Sequence, residues 1–246
     1  MAVSYEILKK DEQVCAYIKA GNDALRTIGY TDHSFPHLYH SALTAASLLT
    51  ALGYPEETAE LAKIAGLLHD VGNMINRTLH ALSGANIART ILEKYRMPFA
   101  DIGIVCSAIG NHDEETGKPV NTVAAALVLA DKSDVRRSRV QETDMDKILA
   151  DIHDRVNYAV KRSDIKVVNS EGESGENSGG ESGANSGIES GVNSANVIQL
   201  SLEIDTHVCS VMDYFEIFLT RMLMCRRAAA FLGAEFDLII NDLKIM

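Results

Sequence analysis

The stretch Leu67-Leu68-His69-Asp70-Val71-Gly72-Asn73 sets an adjacent imidazole and carboxylate at the end of an apolar run that begins at Ile64. Burying such a pair without partners costs on the order of 2–7 kcal/mol per polar group, and more for a charge. A metal ion offsets that cost, because it draws an imidazole nitrogen and a carboxylate oxygen to one point. A lone His-Asp dipeptide carries little weight. Its meaning depends on what the rest of the chain places around it.

Upstream and downstream, residues 1–140 read as helices separated by short breaks at Gly53-Tyr54-Pro55, Met97-Pro98 and Gly117-Lys118-Pro119. Glu56 and Glu57 follow the first break, where acidic side chains favour the positive end of a new helix. Between breaks the apolar residues recur at helical period. Leu38, Ala42, Ala45, Leu49 and Leu52 form one stripe, and Ile102, Val105 and Ile109 another. This predicts an all-α bundle.

Four more polar residues share such stripes. His69 follows Ala62 and Ala65 by seven and four residues, and His80 precedes Gly84, Ile87 and Ile91 by four, seven and eleven. His112 follows Ile102, Val105 and Ile109 by ten, seven and three, and Asp131 follows Ala124 and Leu127 by seven and four. His37 opens the helix that carries the Leu38 stripe. These spacings turn each residue toward the bundle interior, where facing helices build metal sites. His33 and His40 flank His37, and either could serve in its place. Asp113, Glu114 and Glu115 read as a solvated charge run, and His153 and His207, in the C-terminal region, as ordinary histidines.

The C-terminal third changes character. Residues 154–168 contain β-branched residues and alternation, 197–204 alternate cleanly, 209–231 read as a long helix stopped by Gly233, and 236–240 as a third strand. The expected arrangement is a small antiparallel sheet with the helix on one face. Residues 173–196 are three tandem octads, ESGENSGG, ESGANSGI and ESGVNSAN, with no capacity to bury apolar area. They predict a disordered loop at 169–196, tolerated because loop length costs little. The division expected is 1–140 for the helical domain and 141–246 for an α+β region.

Bulk properties limit the partners. With 23 basic and 34 acidic residues in 246, the chain carries a net charge of −11, which excludes a binder of nucleic-acid polymers. Cys15, Cys106, Cys209 and Cys225 are scattered, as reduced thiols of a cytoplasmic protein are. Lys9, Lys10, Asp11 and Glu12 interrupt any secretory signal, and no window is apolar enough to span a bilayer. A homodimer is left open.

The order His37, His69-Asp70, His80, His112, Asp131 resembles the HD superfamily of metal-dependent phosphohydrolases. The segment HLYHSALTAASLLTALG (37–53) is similar to that family's first ligand helix, which favours His37 over His40, and LLHDVGN to its signature turn. The resemblance covers roughly residues 30–140. It implies a mainly α fold, an HD-type helical bundle, in which His37, His69, Asp70 and Asp131 hold a first metal ion. The added pair His80 and His112 resembles the two-metal subset, such as HD-type diadenosine tetraphosphate hydrolases and HD-GYP phosphodiesterases, with Asp70 bridging both ions. Two departures stand out. Asn73 occupies a position where many HD enzymes have Lys, and His112 is followed by Asp113 rather than His, with no GYP segment after it. A cyclic-dinucleotide phosphodiesterase is thereby disfavoured.

The resemblance implies a hydrolase that attacks a small phosphate ester or nucleotide through a metal-activated hydroxide, using two divalent ions (Mn, Fe, Mg, Ni or Zn). Phosphate charge needs cationic partners. Arg77 lies shortly past the His69-Asp70 pair, while Lys132, Arg136 and Arg137 follow Asp131; Lys132 and Arg136, four apart on one helical face, are the preferred contacts. A cationic mouth on an acidic protein suits a small anionic phosphate compound. Two alternatives remain at this level: a di-iron HD-type oxygenase, and a non-catalytic binding or regulatory module.

Overall fold

One helix of this chain is apolar on every side, and the rest of the molecule is arranged around it. Residues 122–132, TVAAALVLADK, are buried without interruption from Val123 to Lys132, as expected of a helix with no polar stripe. The computed structural model describes residues 3–169 and 196–246. The helices run in the order α1 (Tyr5–Leu8), α2 (Glu12–Thr27), α3 (Phe35–Ala51), α4 (Glu56–Leu68), α5 (His80–Lys94), α6 (Phe99–Gly110) and α7 (Thr122–Lys132). They are followed by α8 (Met145–Ala150), α9 (Ile152–Ala159), strands β1 (Val160–Asn169) and β2 (Asn196–Ile204), α10 (Val211–Phe231), β3 (Glu235–Ile240) and β4 (Leu243–Lys244). Around α7 pack α3, α4, α6 and α10.

The helix ends follow local chemistry. Asp11 and Asn121 accept hydrogen bonds from the backbone N–H of Val14 and Ala124, at 2.9 and 2.7 Å, satisfying orphan donors at the starts of α2 and α7. Pro55 and Pro98 stand immediately before α4 and α6. Gly53, with φ of 80°, ends the turn after α3 in a conformation that costs glycine little. Ser210 and Asp213 form a reciprocal capping box on α10. Close approach matters most between α3 and α4: a Cβ built on Gly66 would lie 2.5 Å from Ala42 Cα. Those two helices carry the first ligands of the site described below.

The sheet has the order β1-β2-β3-β4. Ile198, Leu200, Leu202 and Ile204 of β2 and Phe236, Leu238 and Ile240 of β3 are buried on one face, in the alternation expected of half-covered strands. The sheet is mixed rather than antiparallel. β1–β2 and β3–β4 are antiparallel, but β2–β3 is parallel, from Val197↔Glu235 to Leu202↔Ile240. The reason is the 21 residues of α10, which carry the chain back to the starting end of β2, as a crossover can and a hairpin cannot. A second correction concerns 154–168. Residues up to Ala159 form α9, whose Val156 and Ala159, three apart, are buried on one face, and the strand starts at Val160. The tandem octads at 173–196, and with them the predicted loop, lie outside the described residues except for the last, Asn196, which opens β2. One apolar cluster runs from Leu38, Leu68 and Ile109 through α7 to Phe218, Leu200 and Leu238. No described helix is long and apolar enough to cross a membrane.

Candidate metal centre

Six side chains meet beside the buried helix, each placed at the end of an element. His37 lies in the first turn of α3, His69 directly follows α4, and Asp70 opens the 3-10 turn Val71–Met74. His80 is the first residue of α5, His112 lies just past α6, and Asp131 is the penultimate residue of α7. All six are buried, none more than 8% exposed. The structure therefore brings together the whole set that helical periodicity turned inward.

Their geometry divides them into two groups that share one carboxylate. Asp70 Oδ2 lies 3.3 Å from His69 Nε2 and 3.7 Å from His37 Nε2. Asp70 Oδ1 lies 3.4 Å from His80 Nε2 and 3.8 Å from His112 Nε2. Asp131 Oδ1 joins the first group, 3.3 Å from His37 Nε2 and 3.6 Å from His69 Nε2. Within the groups, the Nε2 atoms of His37 and His69 are 3.3 Å apart and those of His80 and His112 3.1 Å apart. Donors about 2.1 Å from a common ion are separated by roughly 3.0–3.4 Å, the edge of an octahedron or tetrahedron. The observed spacings are close to that.

The opposite edge of each ring explains why these nitrogens face one another. His37 Nδ1–H donates to Asp134 Oδ2 at 2.7 Å, and His69, His80 and His112 donate from Nδ1 to the carbonyls of Gly66, Arg77 and Ile109 at 2.8, 3.1 and 2.6 Å. A carbonyl only accepts, so each proton sits on Nδ1 and the lone pair on Nε2. Four imidazole nitrogens and two carboxylates converging in a buried site call for positive charge, a metal ion or, at His69, a proton. The donor set fits a pair of divalent ions, with the outer hydrogen bonds orienting each imidazole. Asn73 plays a comparable part for the shared carboxylate: its Nδ2 donates to Asp70 Oδ1 at 2.9 Å and to the Asp70 carbonyl at 3.0 Å. At the position where many HD enzymes have Lys, this chain holds its Asp70 in place.

The field at the site favours positive charge. Burial alone would raise the carboxyls of Asp70 and Asp131, yet the His69 imidazole and, for Asp131, the Lys132 ammonium hold both well below the usual range. Burial likewise depresses His69, but the Asp70 and Asp131 carboxylates reverse this and carry it up to about 10. Burial pushes His80 down to about 4, with Asp70 opposing and His112 assisting the fall. A divalent ion satisfies the same negative field while keeping the imidazoles neutral.

Other residues singled out from the sequence land in varied places. His33 is beside the cluster, its Nε2 4.0 Å from Asp70 Oδ2 and its Nδ1 on the Thr31 carbonyl at 2.7 Å. His40 is on the far side of Asp134, 3.9 Å from its Oδ1. Arg77 and Lys132 line the cavity above the cluster, about 550 Å³ in volume. Arg136 does not: α7 ends at Lys132, so the two residues share no helical face, and Arg136 Nε pairs with Asp134 Oδ1 at 2.7 Å. Lys132 is buried between two carboxylates, Asp131 Oδ2 at 2.8 Å and Glu114 Oε2 at 2.7 Å. Glu114 and Asp113 are not solvated charges. Asp113 Oδ2 lies 3.3 Å from His80 Nδ1, and Glu114 also accepts from Arg221 Nε of α10 at 3.0 Å. Nor is the mouth cationic, since Glu115, Asp151 and Asp154 also line it, as does His153. Asp134, which holds His37, lies past the end of α7, so helical spacing from Asp131 does not place it. Glu114 and Arg221 are 107 residues apart, with no local signal joining them.

Comparison with known proteins agrees with the geometry. The model of the HD domain family matches residues 35–157, half of the chain, and this chain belongs to that family, whose members bind divalent metals and are typically metal-dependent phosphohydrolases. An uncharacterized protein of Methanocaldococcus jannaschii is 26% identical over 184 residues, spanning 66% of this chain and 70% of its own. No solved structure matches.

Proposed function

We propose that this protein hydrolyses a small phosphate ester or nucleotide at a pair of divalent ions, His37, His69, Asp70 and Asp131 holding one and His80, His112 and Asp70 the other. The observation that carries this reading is Asp70, whose two oxygens face separate pairs of imidazoles at 3.3–3.8 Å. Bound there, such ions supply Lewis-acid activation of water and polarisation of the phosphoryl oxygens. The chain's own residues do the rest. Asp134 and the three carbonyls keep the imidazole lone pairs aimed inward, and Asn73 keeps Asp70 between the groups. Lys132 occupies the outer oxygen of Asp131, leaving Oδ1 for the ion. Charge supports an anionic substrate only in the loaded state. Among the described residues, seven carboxylates and four cationic side chains line the cavity, so two divalent ions reverse its net sign.

Metal content and phosphate release test this together. The protein loaded with Mn, Fe, Ni, Zn or Mg is expected to release phosphate from at least one member of a panel of nucleotides and phosphoesters. His80→Ala is expected to keep about one equivalent of metal, and Asp70→Ala none. Two equivalents retained by His80→Ala would overturn the division of ligands. Oxygen uptake without phosphate release would overturn the reaction assigned.

A further inference from the structure

The family match ends at residue 157, yet α10 reaches back into the same cavity with Phe218 and Arg221. The guanidinium of Arg221 lies over the Phe218 ring, 4.6 Å from its centroid, and its Nε donates to Glu114 Oε1 at 3.0 Å. Nη1 and Nη2 have no protein acceptor among the described residues, and the side chain is 25% exposed. Of the other three cations of the cavity, Lys132 and Arg139 are committed to protein groups and Arg77 lies against the His/Asp cluster itself. Lys132 lies between Asp131 and Glu114. Arg139 gives Nε and Nη2 to the Asp32 carbonyl and Nη1 to the Asp134 carbonyl, at 2.8–3.0 Å. Arg77 holds Nη1 3.3 Å from His80 Nε2, the lone pair that an ion of the second group would take.

Resting on the hydrolase reading above, we infer that Arg221 anchors a second anionic group of the substrate, one remote from the phosphoryl group at the His/Asp cluster. Two ion-paired side chains, Glu114 and Lys132, stand between Arg221 and Asp131, so an anion on Arg221 is not the one at the ligands. The substrate class is a compound with two or more separated anionic groups, such as a polyphosphate chain. A held arginine with two free N–H groups on one edge matches a phosphate or carboxylate in a two-pronged contact. Glu114 fixes the plane of the fork through Nε, and Phe218 supports its face, so little side-chain freedom is lost when the anion binds.

The test titrates the metal-loaded full chain with inorganic tripolyphosphate and with orthophosphate, following heat of binding. Arg221→Gln is expected to weaken tripolyphosphate by about tenfold or more while changing orthophosphate by less than about threefold, with metal equivalents unchanged. Arg221→Lys, which keeps the charge beside Glu114 but loses the fork, is expected to fall between wild type and Gln. In wild type, tripolyphosphate is expected to protect Arg221 from phenylglyoxal, read by peptide mass mapping, and this arm needs no variant to fold. Equal tripolyphosphate affinity in wild type and Arg221→Gln, or no protection of Arg221, would overturn the anchor. An equal loss for both anions would place Arg221 at the reacting phosphate and overturn the two-anion class. Failure of wild type to bind either anion or release phosphate from any ester would overturn the hydrolase reading itself, and the anchor with it.

Discussion

Asp134→Asn is the most informative single change outside the ligand set. Asp134 is 1% exposed, accepts from His37 Nδ1 at 2.7 Å, and faces Arg136 Nε at 2.7 Å and Arg139 Nε at 3.9 Å. Burial would raise its carboxyl, but the His37 hydrogen bond and the Arg139 charge hold it well below the usual range, so it is ionised. An asparagine there has two orientations. With its oxygen toward His37 it turns its amide donors on Arg136. With its amide toward His37 it donates to Nδ1 and moves the ring proton to Nε2, the nitrogen needed for the ion; selection of the wrong tautomer by Asp→Asn is a known way to silence a histidine. Loss of an outer carboxylate costs roughly 10–100-fold in metal affinity, or about 1.4–2.8 kcal/mol. The fold survives, because Arg139 keeps its three carbonyl contacts; a stability loss of similar size, about 1–3 kcal/mol, is expected. Competition against a chelator of known affinity reads the first quantity and urea unfolding the second. The ion held by His37 should weaken first, that held by His80 and His112 least. Wild-type affinity for both ions in a folded Asp134→Asn protein would refute the claim that this carboxylate sets the His37 tautomer.

Two further outcomes follow from packing and charge. Gly66→Ala forces a methyl toward Ala42 Cα at 2.5 Å, so α3 and α4 must part; a stability loss of about 1–3 kcal/mol and weaker binding of the ion between His37 and His69 are expected, and unchanged melting and metal affinity would refute the close contact. Glu114 is raised by burial but held well below its usual 4.5 by Lys132 and Arg221. A depressed carboxyl stabilises the fold fully above its unfolded value and loses that contribution as pH falls toward the folded value. Thermal melts should therefore show Glu114→Gln less stable than wild type at pH 7, the gap closing below about pH 4.5; a gap independent of pH would refute the ion-pair role.

Much of the site was legible from local information. The stripes ending at His69, His112 and Asp131, and the one beginning at His80, follow from the helical period within single segments, and a residue on the apolar side of a helix is turned inward whatever lies opposite. Resemblance to the HD family then joined these residues into one set. The all-α bundle and the strand at 197–204 were readable for the same reason, since 3.6- and two-residue periods are written in the chain itself. Tertiary structure alone decided which segments meet. Lys132 and Arg136 are four apart, but α7 stops between them, so one lies beneath the cavity and the other behind His37. The Glu114 carboxylate, which looked solvated in a polar run, is claimed by a lysine 18 residues later and an arginine from α10, because the fold carries α10 back across α7. The parallel pairing of β2 with β3 has the same origin, in the length and path of the helix between them. Spacing along a helix reports a side chain's direction; the partner it finds depends on the packing of elements distant in sequence.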